Sequence, residues 1–168
     1  LILDVFIVSV ILSLVFKRNI YYVFSCRIRF LYLFPVPFLI QILPFPQRGI
    51  MMLASYLILL LVFLMNKHLK GFPWIAAGSA LNGLAIALYG GKMPVFMPLA
   101  EKLNLELTIK HAFVEQLNPL TILGDWIPVV TPYGRNFLIS PGDTLIYAGV
   151  LIFMLSKTCK STTQQECN

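Results

Sequence analysis

Apolar runs set apart by short polar breaks constrain this chain more than any other feature. The stretches 2–16, 30–43, 49–65, 73–89 and 141–156 contain only two charged side chains, Asp4 and Asp143. Charged residues make up 12% of the 168 positions, and mean hydropathy is +0.82. A soluble domain carries roughly a quarter charged residues. So few charges cannot cover a water-facing surface, which makes lipid the expected solvent. The pattern predicts an all-α fold: a polytopic membrane helix bundle of about five transmembrane helices at these stretches. An outer amphipathic and re-entrant segment, 90–140, is expected between helices four and five. Residues 1–156 then form one membrane domain, and 157–168 a polar, disordered tail.

The first run lacks a basic leader and a small-residue cleavage site, so it is read as a helix and not a removable signal peptide. Tyr21, Tyr22 and Phe24 among Arg18, Arg27 and Arg29 suit an interfacial stretch on anionic headgroups. Pro35 and Pro37 interrupt the second run. Gln41 is expected to form an interhelical hydrogen bond.

Net charge is +6, but the basic residues lie between apolar runs, so nucleic acid is not an expected partner. With five helices, Lys17, Arg18, Arg27, Arg29, Lys67, Lys70, Lys157 and Lys160 fall on one side. Arg48, Lys92, Lys102, Lys110 and Arg135, diluted by Glu101, Glu106, Glu115 and Asp125, fall on the other. This imbalance predicts a bacterial cytoplasmic membrane protein with its amino terminus outside and its carboxy terminus cytoplasmic. Cys26, Cys159 and Cys167 are then expected as reduced thiols on the inner side.

The outer segment and its flanks hold the candidate functional residues. Asn82 is an amide in the middle of an apolar run, beside Gly78, Ser79 and Gly83. It suits either interhelical hydrogen bonding or a ligand-facing position. Gly90 and Gly91 end the run in left-handed backbone, and Met93-Pro94 follows. A glycine pair would also let a ligand approach the backbone. Leu105–Lys110 alternates, which suits an extended strip, or else Glu106 and Lys110 form a helical i,i+4 pair; a short helix after Pro98, a break and a second helix around Ile109–Gln116 is the favoured expectation. His111 could form an acid/base pair with Asp125 or Asp143. A single histidine with no cysteine nearby makes no zinc site, so no metal or cofactor is expected. Pro119–Pro128 is expected as a re-entrant or buried turn, with Gly124 and Asp125 shaping it. Ser140-Pro141-Gly142-Asp143 is a capping box that opens the last helix.

Read together, these motifs resemble the bacterial membrane family catalogued as domain of unknown function 5317. The marks, in order, are Gln41, Asn82, Gly90-Gly91-Lys92-Met93-Pro94, Lys110-His111, Leu123-Gly124-Asp125-Trp126-Ile127-Pro128 and Ser140-Pro141-Gly142-Asp143. The resemblance covers essentially the whole chain. Tyr89 stands where the family pattern has asparagine before the glycine pair. The family implies a membrane location and no particular activity.

The candidate ligand-binding set is Asn82, Gly90, Gly91, Met93, His111 and Asp125. The leading expectation is a non-enzymatic accessory or binding component with membrane lipid as its partner. One alternative is a membrane enzyme or carrier for a lipid-soluble or periplasmic small molecule, using Asn82, His111 and Asp125. Another is a subunit of a larger membrane complex.

Overall fold

A computed structural model describes residues 2–16, 26, 28–43, 47–105, 111–116, 118–119, 121–131 and 134–156. The expected interfacial stretch at 21–24, the Glu106–Lys110 pair and the 157–168 tail lie outside these residues.

Each apolar run forms a helix. They are α1 (Ile2–Val15), α2 (Pro35–Ile42), α3 (Arg48–Met65), α4 (Phe72–Leu88) and, at the end of the described chain, α6 (Pro141–Leu155). A 3-10 turn, Leu31–Leu33, precedes α2, and Pro35 opens that helix where its missing donor costs nothing. Gln41 Nε2 donates to Ser55 Oγ at 3.0 Å, joining α2 to α3 as expected.

Two expectations are corrected. Among the described residues, only α3 is long and apolar enough to cross a membrane; the other helices have 14, 8, 17 and 15 residues, so five spanning helices are not found there. Apolarity marked where helices form, while prolines and glycines cut them short of the ~20 residues a span needs. The fold is also mixed, not all-α. Between α4 and α6 lie β1 (Met93–Phe96), the short helix α5 (Met97–Lys102), β2 (His111–Val114), β3 (Ile127–Val130) and β4 (Asn136–Ile139). β1 and β2 pair in parallel, Met93 opposite His111, and β3 and β4 pair antiparallel. The expected helix around 109–116 is therefore a strand over His111–Val114. Its partner is β1, with each paired residue eighteen positions away, which local pattern cannot reveal.

The helices lie in the spatial order α1, α6, α4, α3, α2. α4 and α6 are antiparallel and meet along a glycine seam, Gly71 against Gly149 and Gly78 against Gly142. A Cβ at Gly149 would stand 2.6 Å from the Gly71 carbonyl oxygen, and one at Gly142 2.7 Å from that of Gly78. Both pairs recur at a seven-residue spacing, about two helical turns, so the seam runs along one face of each helix.

The two ends of the helix layer differ. One end is aromatic: Phe34, Phe63, Phe72 and Phe153 stack in sequence, with centroids 5.9, 5.1 and 5.0 Å apart. There the buried Asn66 accepts from Arg29 N at 2.7 Å and donates to Arg29 O at 2.9 Å, pinning the chain just before Phe30, whose φ is +60°. The other end carries the β segments. There Gly49, at the start of α3, touches Gly91, whose φ of +88° and missing Cβ allow the turn. Cys26 is disulfide-bonded, contrary to the reduced thiol expected.

Candidate polar site between helices and cap

The ring of hydrogen bonds at the β end starts from the capping box. Ser140 Oγ accepts from Asp143 N at 2.9 Å, and Ser140 N donates to Asp143 Oδ2 at 3.3 Å. This is the reciprocal cap expected from sequence. The glycine seam then brings α4 so close that Asn82 joins it. Asn82 Nδ2 donates to Asp143 Oδ1 at 2.7 Å, and Ser140 Oγ donates to Asn82 Oδ1 at 2.8 Å. A Cβ at Gly142 would overlap Asn82 Oδ1, so the glycine makes this contact possible. Asn82 and Ser140 are fully enclosed. The Asp143 carboxylate accepts on both oxygens and sits at the amino-terminal end of α6.

Two tyrosines border the ring. Tyr56 of α3 hydrogen-bonds with Asn82 and faces the charges of Asp143 and Asp125, and it packs where Gly83 has no side chain. Tyr147, one turn into α6, faces the same two carboxylates.

Asp125 approaches from the cap. Its N–H donates to Pro94 O at 2.8 Å, and its carbonyl accepts from Phe96 N at 3.0 Å, a parallel bridge at Val95. Gly124 permits the approach, since a Cβ there would overlap the Pro94 carbonyl. The 3-10 turn Thr121–Leu123 packs on α4, α6 and β1, closing the region. Trp126 Nε1 donates to Ile122 O at 2.8 Å and stiffens the turn. Asp125 Oδ1 is buried and has no hydrogen-bond partner among the described residues. Burial, and then the Asp143 charge, push the Asp125 carboxyl up to about 8.

The sequence candidates therefore divide. Asn82 and Asp125 both face Asp143. Gly90 and Gly91, with φ of +62° and +88°, form the turn that ends α4, where Gly91 N donates to Ile86 O at 2.8 Å. Met93 opens β1 and pairs with His111. His111 lies across β1 from Asp125 and two register positions away. Two strand spacings and that stagger put their Cα atoms roughly 11–12 Å apart. Sequence reasoning treated Ser140 and Asp143 as a cap alone and passed over Tyr56 and Tyr147. The available signal was the matched seven-residue spacing of Gly71/Gly78 and Gly142/Gly149, which brings residue 82 to the cap. Among the described residues, no group of three or more His, Cys, Asp or Glu could hold a metal ion.

A family model described as "Family of unknown function (DUF5317)" matches residues 25–155. The chain belongs to this family. An uncharacterized protein of Thermotoga maritima is 41% identical over 155 residues, covering 92% of this chain and 90% of its own length. No solved structure matches.

Proposed function

We propose that this DUF5317 chain is a membrane-embedded accessory protein of bacteria, non-enzymatic, with its β cap on the outer face. One observation carries the reading: beside a small apolar core, the helices enclose small polar side chains while many large apolar ones face outward. On α1, Ser9 and Ser13 are fully buried against the protein, while Phe6, Ile11, Leu14 and Val15 are 48–67% exposed. Ser13 Oγ donates to Met154 O at 3.3 Å on α6. On α3 and α4, Ser55, Ser79 and Asn82 are enclosed, while Ile50, Leu57, Leu61, Trp74, Leu84 and Leu88 face outward. Water would reverse this arrangement, because each half-exposed large side chain forgoes roughly 1 kcal/mol of burial. Hydrocarbon favours it, because apolar side chains then meet lipid while small polar groups are kept out of it inside the protein. In α3, the helix of spanning length, only 22% of the apolar window is buried, unlike the core helix of a soluble protein.

Orientation follows from the flanks of α3. Lys67 and Lys70 follow its carboxy-terminal end, and Arg48 alone opens the other. The positive-inside tendency places the Lys67–Lys70 end in the cytoplasm and the β cap outside. The accessory role is supported by the polar ring, where Asn82, Ser140 and Asp143 spend their hydrogen bonds on one another. A group so committed is poorly placed to bind a turning-over substrate.

Membrane fractionation with alkaline carbonate washing tests the location: the chain is expected in the washed membrane pellet, and release into the supernatant would overturn it. Co-purification from mild detergent tests the accessory role. A stable partner is expected, and a strictly monomeric particle would count against it.

A further inference from the structure

We propose that Arg29, Lys67 and Lys70 form a binding patch for the phosphate of anionic phospholipid headgroups at the aromatic end of the helix layer. The patch presupposes the membrane residence proposed above and specifies which lipids meet this end. Its frame is the tight turn between α3 and α4. Leu69 anchors that turn: it is 4% exposed, and its N–H donates to Asn66 O at 2.9 Å. With Leu69 buried, Lys67, His68 and Lys70 are left on the surface. Asn66 then adds Arg29. Its enclosed amide binds both backbone groups of Arg29, which fixes that residue beside Lys67 and leaves the guanidinium out of the clasp. Three cations from two separate parts of the sequence are thus held together by bonds that use none of their charged groups.

The charge they gather is not answered from within. Among the described residues, no carboxylate pairs with Arg29, Lys67 or Lys70. The described carboxylates lie toward the other end: Glu101, Glu115 and Asp125 belong to the cap, and Asp143 opens α6. α1 packs along α6, and Ser13 near its end meets Met154 near the end of α6. The two helices therefore run parallel, and Asp4 also lies toward the cap. Exposed apolar and aromatic side chains flank the cations. Trp74, one turn beyond Lys70, is 50% exposed, and Tyr32, three residues after Arg29, is 70% exposed. Trp and Tyr beside Lys and Arg suit a membrane–water interface, where the charged groups reach phosphates and the rings sit at headgroup level. An acidic protein segment would match the charge but leave these rings, with Leu64 and Met65, in water. An anionic phospholipid meets both requirements.

Lipid-specific fluorescence quenching tests the patch. The chain has two tryptophans, Trp74 at this end and Trp126 in the cap. The full chain carrying Trp126→Phe is reconstituted in phosphatidylcholine vesicles doped with brominated phosphatidylglycerol or, separately, with the same fraction of brominated phosphatidylcholine. Each Lys or Arg near an anionic surface is worth roughly a fivefold preference, so Trp74 should report phosphatidylglycerol enriched about threefold or more. Arg29→Gln, Lys67→Gln and Lys70→Gln combined should remove the enrichment and keep the fold, since Asn66 grips only the backbone. Equal quenching by the two lipids, or enrichment that survives the triple substitution, would overturn the patch while leaving the membrane reading in place. Quenching by neither lipid would overturn both. Should Trp126→Phe fail to fold, native mass spectrometry of the chain with both tryptophans decides. Selective retention of phosphatidylglycerol from an equal mixture with phosphatidylcholine, lost on the triple substitution, sustains the proposal, and equal retention of the two refutes it.

Discussion

Replacing Gly78 by alanine sets two opposed effects against each other at one atom. Gly78 lies inside α4, where alanine is favoured over glycine by about 1 kcal/mol. On propensity alone, Gly78→Ala stabilises. The seam predicts the reverse. A Cβ at position 78 would overlap the Gly142 carbonyl oxygen, sit 2.8 Å from Ile146 Cγ1 and sit 3.0 Å from the Ile146 amide nitrogen. The obstacles are mostly backbone, so no side chain can swing away, and α4 and α6 must part by about 1 Å. Asn82 holds Asp143 at 2.7 Å and Ser140 at 2.8 Å, and that separation takes both past hydrogen-bonding reach. Overpacking costs about 1–3 kcal/mol, and a lost buried hydrogen bond to a charged group about 1.5–3 kcal/mol. Less the propensity gain, the net loss is about 1.5–5 kcal/mol. Gly83→Ala is the control, because a Cβ there meets only the Tyr56 side chain, at 3.3 Å. Denaturant titration in detergent, followed by circular dichroism, measures both variants. A Gly78→Ala protein as stable as Gly83→Ala, or more stable than wild type, would refute the seam.

Three further outcomes follow from the same contacts. The Asp125 carboxyl is raised from 3.8 to about 8, so between those values the folded state holds a proton that the unfolded state has released. Stability should fall as pH rises through that window, by at most about 1.4 kcal/mol per unit, and level off above it. Asp125→Asn should flatten the slope in pH-dependent unfolding. Ser140→Ala removes both the cap acceptor and the donor to Asn82, and should cost about 1–3 kcal/mol by denaturant titration, with Ser140→Thr recovering most of it. Asn66→Ala should cost about 2–3 kcal/mol at the aromatic end, read as a lower thermal midpoint, because both backbone groups of Arg29 lose their partner.

Much of the helical part was legible in the residues. Pro73–Tyr89 and Pro141–Ser156 were expected, and Phe72–Leu88 and Pro141–Leu155 are observed. Proline at the first turn, glycine at the end and the Ser140–Asp143 box are local signals, and local signals survive folding. The strands were not legible. Each has four residues, β1 and β3 contain Pro94 and Pro128, and β1 finds its partner across an intervening helix. The number of spanning helices was misjudged because apolarity measures the solvent a helix meets and not how far it reaches. The polar site was half visible: Asn82, Asp125 and the capping box each stood out. Their meeting through Asp143 depends on a helix crossing, and only the paired glycine spacing hinted at it.

The lipid-facing apolar helix surfaces are the central claim, and spin-label accessibility in lipid vesicles tests them most directly. Labels at Ile11, Leu57 and Leu84, which are 53%, 52% and 48% exposed, should be relaxed by oxygen dissolved in the bilayer and protected from a water-soluble nickel reagent. Higher accessibility to nickel than to oxygen at all three positions would mean these faces meet water, and would contradict the account.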